Sequence, residues 1–166
     1  MIDTNTFDFL YENKLLEKLS NLIKKTIFSL VICRVQMDEI EKISEPEKKK
    51  IIQSILIEKI PTSIGWVGVE DRYNRGYLAP RSDWVKAVNN EDAVIVNKYR
   101  RGRTSTHPVG NEGDLAIVYT AIKEGMDYLV SDDKEVKRVY DELKSDFNSD
   151  LKFLDNTSFV QMFDII

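Results

Sequence analysis

The sequence has one cysteine, Cys33, and one histidine, His107, in 166 residues. A single cysteine excludes an internal disulfide, and with one histidine it leaves no Cys/His cluster for zinc. Any bound metal must therefore rest mainly on carboxylates. Seven glycines and four prolines are too few for a collagen-like or low-complexity chain. No apolar stretch approaches the roughly 18 to 20 residues of a membrane span; the longest candidate is Ile27–Cys33. The first residues carry Asp3 and Asp8 where a secretory leader needs basic residues and then an apolar run, so the expected location is the cytoplasm. An excess of positive charge is missing too. Lys and Arg number 24 against 28 Asp and Glu, a net charge of -4, so a nucleic-acid contact would have to be local.

The chain is 42% hydrophobic and 31% charged. That composition excludes general disorder and, at this length, fits one domain over residues 1–166. Met1–Ile2 reads as a strand stub followed by a polar turn. Leu10, Leu15, Leu16, Leu19, Leu22 and Ile23 then recur at helical spacing, which predicts a helix over 7–23. The β-branched run Thr26–Val35 predicts a strand in its first half, and Val35, Met37, Ile40 and Ile43 predict the start of a helix. Glu45–Ile60 reads as a second amphipathic helix, with Pro46 in its first turn and Pro61 ending it.

Residues 61–111 hold much of the Gly, Pro, Trp and Tyr content, which predicts loops around short helices, one starting near Ser82–Val85, and a short strand at Ala93–Val96. Gly113–Glu124 predicts a buried helix closed by Gly125. Tyr128–Ser131 predicts a strand, Lys134–Lys144 a helix, Lys152–Leu154 a strand, and Thr157–Ile166 a terminal helix or extended tail. Strands alternating with helices imply an α/β fold with a mainly parallel sheet.

Acids stand where this reading puts ends of elements: Asp3, Glu39, Asp114 and the pair Asp132-Asp133. The carboxyl ends of parallel strands share one edge, so distant residues can converge there. Converging carboxylates repel one another unless a cation joins them. Hard oxygen donors suit Mg²⁺ or Mn²⁺, and such a cation suits phosphodiester hydrolysis by activated water. Each acid also has an ordinary explanation: Asp114 and Asp132-Asp133 as helix caps, Asp3 as a turn residue, Glu39 as an exposed helical glutamate beside Asp38 and Glu41.

Met1-Ile2-Asp3-Thr4-Asn5-Thr6-Phe7 resembles the opening of PIN-domain nucleases. Asp114-Leu-Ala-Ile-Val-Tyr-Thr120-Ala121-Ile-Lys-Glu-Gly125 is similar to the helix carrying that family's third acid, and Leu129-Val130-Ser131-Asp132-Asp133 to its last acidic strand end. The resemblance covers about the first 45 residues and residues 110–155. It implies a PIN-like, Rossmann-like three-layer α/β/α sandwich and an endoribonuclease dependent on Mg²⁺ or Mn²⁺. It further implies Asp3, Glu39, Asp114 and an acid of the Asp132-Asp133 pair around the metal, with Asn5 or Thr4 supporting the first acid and Ser131 the last. RNA is the implied substrate, and toxin-type relatives dimerise and pair with an antitoxin. Three departures stand out: the first strand is short, Asp38 or Glu41 competes with Glu39, and residues 61–111 form an enlarged middle region.

That region holds Lys98-Tyr99-Arg100-Arg101-Gly102-Arg103, a basic run free of acids that can track phosphates while Tyr99 stacks on a base. The same run also fits a solvated loop. Arg72, Tyr73, Arg75, Tyr77 and Arg81, near Trp66 and Trp84, form a second mixed cluster that suits a core or interface. His107 is not required as a base by metal chemistry, and Cys33 reads as core.

Overall fold

The computed structural model describes residues 1–60, 110–162 and 164. Over these residues the protein is a mixed α/β structure. Its elements are α1 (Thr4–Glu12), α2 (Leu16–Lys24), β1 (Val31–Cys33), α3 (Arg34–Glu41), α4 (Pro46–Ser54) and β2 (Glu58–Ile60), then α5 (Gly110–Lys123), β3 (Tyr128–Val130), α6 (Lys134–Phe147), β4 (Lys152–Leu154) and α7 (Asn156–Met162). The expected strand at 93–96, the helix start at 82–85, the basic run with Lys98, Tyr99, Arg100, Arg101 and Arg103, and His107 lie outside the described residues.

β1 pairs with β2 and β3 with β4, both in parallel, with Val31 opposite Glu58 and Tyr128 opposite Lys152. Met1–Asp3 runs between the pairs. The Ile2 amide donates to the Val31 carbonyl at 3.3 Å, the Val130 amide to the Met1 carbonyl at 3.1 Å, and the Asp3 amide to the Val130 carbonyl at 2.9 Å. The strands thus form two separate two-stranded parallel sheets with Met1–Asp3 between them, in the lateral order β2, β1, Met1–Asp3, β3, β4.

Side chains alternate between the faces of these extended segments, as the two-residue period of a strand requires. Met1, Val31, Cys33 and Leu129 join α5 and α6 in one apolar cluster. Ile2, Ile32 and Val130 join residues of α1, α2, α3, α4 and α7 in another. Cys33 is fully buried, as a core residue. No helix among the described residues is long and apolar enough to cross a membrane.

The structure departs from the sequence expectations at several boundaries. The single helix expected over 7–23 is two helices, broken at Lys14, which adopts φ +56°. Apolar spacing carries across this turn unchanged, so periodicity alone gives no sign of it. In Thr26–Val35 the strand occupies Val31–Cys33 rather than the first half, because these residues meet both β2 and Met1–Asp3. The helix expected over 45–60 ends at Ser54, and Glu58–Ile60 forms β2 instead. Glu58 and Lys59 are exposed, so this strand lacks the apolar signature that marks a buried one. The helix expected from Gly113 begins at Gly110, and Gly125, at φ +64°, follows it as expected.

Candidate functional site

In a parallel sheet the crevice at the carboxyl ends opens where the chain leaves a central strand for opposite sides. Here that point lies between Met1–Asp3 and β3. Asp3 ends the first segment and Ser131-Asp132-Asp133 ends the second. α3 leaves the end of β1 and carries Glu39. α5 precedes β3 and runs back along the strands, so its first turns belong to the same edge and bring Asp114 there. Val35 of α3 lies beside Gly113, where a Cβ would sit 3.5 Å from Val35 Cγ1.

Asp3 is buried and fully engaged. Its Oδ1 accepts from the Thr4 amide at 2.8 Å, capping α1, and its Oδ2 accepts from the Ser131 hydroxyl at 2.7 Å. The same Ser131 oxygen accepts from Asn5 Nδ2 at 3.1 Å and from the Asp133 amide at 3.0 Å. Ser131 is completely buried, and its one hydroxyl ties the first acid to the turn bearing the last. The Thr4 hydroxyl donates to Glu39 Oε2, linking α3 to the same network. Thr4 and Ser131 thus bond Asp3 directly and Asn5 reaches it through Ser131, whose hydroxyl donates to the first acid and not, as the resemblance implied, to the last.

The pair at 132–133 divides. Asp132 turns to α7, accepting the Asn156 amide on Oδ1 at 2.9 Å and Asn156 Nδ2 on Oδ2 at 2.7 Å. Asp133 caps α6 through Oδ1, which accepts from the Glu135 amide at 2.7 Å. Asp114 stands one turn into α5, past the position of a cap. The capping explanation therefore fails for Asp114 and holds for Asp133.

Electrostatics link the four acids. Burial raises the Asp114 carboxyl to about 7, reinforced by the charges of Asp133, Asp3, Glu39 and Glu135. Asp3 is also raised, mainly by burial, with the neighbouring Asp133 charge adding to it and the Ser131 and Thr4 hydrogen bonds opposing it. Glu39 is raised by desolvation of its carboxylate and by Asp3, against the Thr4 hydrogen bond. Excess negative charge at this edge is the condition a dication relieves.

Among the described residues, no three Asp, Glu, His or Cys side chains stand close enough together to hold a metal ion as placed. The four side chains are all carboxylates, the hard oxygen donors that Mg²⁺ and Mn²⁺ take. A cavity of about 620 Å³ opens at the opposite edge, between the ends of α5 and α6 and the starts of β3 and β4, and none of the four acids lines it.

Sequence reading passed over Gln36. It is completely buried in the first turn of α3, where Oε1 accepts from the Cys33 amide at 2.7 Å and Nε2 donates to the Ile2 carbonyl. It fastens the helix bearing Glu39 to the segment ending in Asp3. Its only sequence signal is a polar residue on the apolar side of α3, between Val35 and Met37. Replacing Gln36 with Leu leaves two buried backbone groups unpaired, for an expected loss of about 2–4 kcal/mol. A thermal melt should fall by roughly 5–12 °C; an unchanged melting temperature would refute the bridging role.

No family model, curated protein or solved structure matches this chain.

Proposed function

We propose that this chain is a metal-dependent endoribonuclease with a PIN-like three-layer α/β/α fold. The observation that carries the reading is the field at Asp114. Four acids from separate segments act on one another at the carboxyl edge, and burial, with their repulsion added to it, lifts Asp114 to about 7. The parallel order β2, β1, Met1–Asp3, β3, β4, with apolar clusters on both faces, supports the fold reading.

In this reading Asp3, Glu39, Asp114 and Asp133 are the residues that would hold Mg²⁺ or Mn²⁺. The bound cation supplies polarisation of a phosphoryl oxygen and a more acidic water. The chain's own groups prepare the site. Ser131 and the Thr4 amide fix the Asp3 carboxylate in one orientation, and the Thr4 hydroxyl holds Glu39 beside it. With its carboxyl raised to about 7, Asp114 exchanges its proton near neutral pH, and positive charge favours the release. Asp132, engaged by Asn156, lies outside the ligand set.

The open spacing of the acids favours one second reading, a PIN-like scaffold that binds RNA or a protein without cutting. Labelled single-stranded and structured RNAs incubated with Mn²⁺, Mg²⁺ or EDTA separate the two. Metal-dependent internal cleavage is expected. RNA binding without cleavage in either metal would establish the scaffold instead.

A further inference from the structure

At the end of β4 the chain turns into α7 at Asn156, whose side chain is 2% exposed. Its amide and its Nδ2 both donate to Asp132, one to each carboxylate oxygen, at 2.9 and 2.7 Å. Its Oδ1 is buried and has no hydrogen-bond partner among the described residues. A buried amide oxygen left unpaired costs about 1–3 kcal/mol, so Asn156 is a poor choice for stability alone. What the residue does provide is a two-point grip on an otherwise exposed aspartate. Asp132 is flanked by Ser131, whose hydroxyl donates to Asp3, and by Asp133, whose amide donates back to that hydroxyl. A second strand-to-strand bond, from the Ser131 amide to the Leu154 carbonyl at 3.0 Å, lies beside the grip.

We infer that Asn156 is a positioning residue for the acidic site: by clasping Asp132 it fixes the Ser131–Asp133 turn and so holds Asp133 in place beside Asp3. This rests on the metal-site reading above. Asp132 then acts as a fastener, which accounts for two adjacent aspartates at this strand end where the site uses one.

The geometry also predicts how the clasp fails. Asn156→Leu is close in volume, removes the unpaired oxygen and deletes the side-chain donor. Its melting temperature should therefore change little, while the turn loosens. Two readouts apply to the full chain. The first is amide hydrogen exchange of metal-free protein at Asp133 and Glu135, whose N–H groups report the turn and the cap; exchange there should quicken about tenfold, with α5 and β3 unchanged. The second is Mn²⁺ alone, titrated by calorimetry, with affinity expected to drop about tenfold. Should Asn156→Leu not fold, Asp132→Ala cuts the same clasp from its exposed side and should give the same two effects. The double variant should be no weaker than Asp132→Ala alone, since that change already removes both bonds of the clasp, the backbone one included.

Wild-type Mn²⁺ affinity in a folded Asn156→Leu protein would overturn the inference, leaving Asn156 a structural residue. A further loss on adding Asn156→Leu to Asp132→Ala would overturn it as well, because Asn156 would then act by a route other than Asp132. If the wild-type protein binds no Mn²⁺, the metal-site reading itself falls and the positioning role with it, an outcome distinct from a wild type that binds and a variant that matches it.

Discussion

Asp114→Asn should melt at a higher temperature than the wild-type protein in metal-free buffer at pH 8, and it should not cut RNA. Folding places the Asp114 carboxyl in a half-buried position facing Asp133, Asp3 and Glu39, and lifts it to about 7 from an ordinary value near 4. At pH 8 the native state must hold the charge against that field; the unfolded chain carries it without penalty. An amide of the same shape carries no charge. Because Asp114 is partly open to solvent, screening reduces the full linkage value, and the expected gain is about 1–3 kcal/mol, or roughly 3–8 °C. Cleavage in Mn²⁺ should fall by about a thousandfold, about 4 kcal/mol of transition-state stabilisation. Greater stability with lost activity identifies a functional acid, because an acid kept for structure destabilises the fold when neutralised. A lower melting temperature in Asp114→Asn would contradict the electrostatic picture, and retained cleavage would remove Asp114 from the reaction.

The dependence on pH has a definite sign. A carboxyl raised by folding binds its proton more tightly in the native state, so stability falls as pH rises. The difference in unfolding free energy between wild type and Asp114→Asn should be near zero at about pH 4. It should grow against the wild type up to about pH 7 and then level off, the window set by the unfolded and folded values. Raised Asp3 and Glu39 act in the same sense and are common to both proteins. Mn²⁺ should reverse the trend. At about one hundred times its dissociation constant a dication adds about 2.7 kcal/mol, and protons compete for the same oxygens, so affinity at pH 5.5 should be roughly thirtyfold weaker than at pH 8. Melting curves at both pH values, with Mn²⁺ and with EDTA, test this directly. A Mn²⁺ shift equal at both pH values would separate metal binding from Asp114.

The residue types at the site were legible in the chain. One cysteine and one histidine left carboxylates as the main candidate metal donors, and the apolar residues before Asp3 and Asp132-Asp133 marked strand ends at which acids could gather. The period of 3.6 in α2, α5 and α6 and the short apolar runs of β3 and β4 likewise showed helices and strands, because burial of one face is written into residue spacing. β2 was hidden because its pairing with β1 is made by backbone groups, which leave no mark on the side-chain pattern of Glu58 and Lys59. The break at Lys14 was hidden for a similar reason, since a left-handed residue interrupts hydrogen bonding without altering apolar periodicity.

Which of two neighbouring aspartates faces the site was likewise a tertiary decision. Asp132 and Asp133 are equivalent in one dimension; Asn156, 24 residues on, takes both oxygens of the first and leaves the second beside Ser131. The sign and size of the shift at Asp114 come from the same source. Charge composition gave an acidic chain, whereas the field at one carboxyl depends on distances among Asp3, Glu39, Asp114 and Asp133, residues up to 130 positions apart that only the parallel strand order brings to one edge.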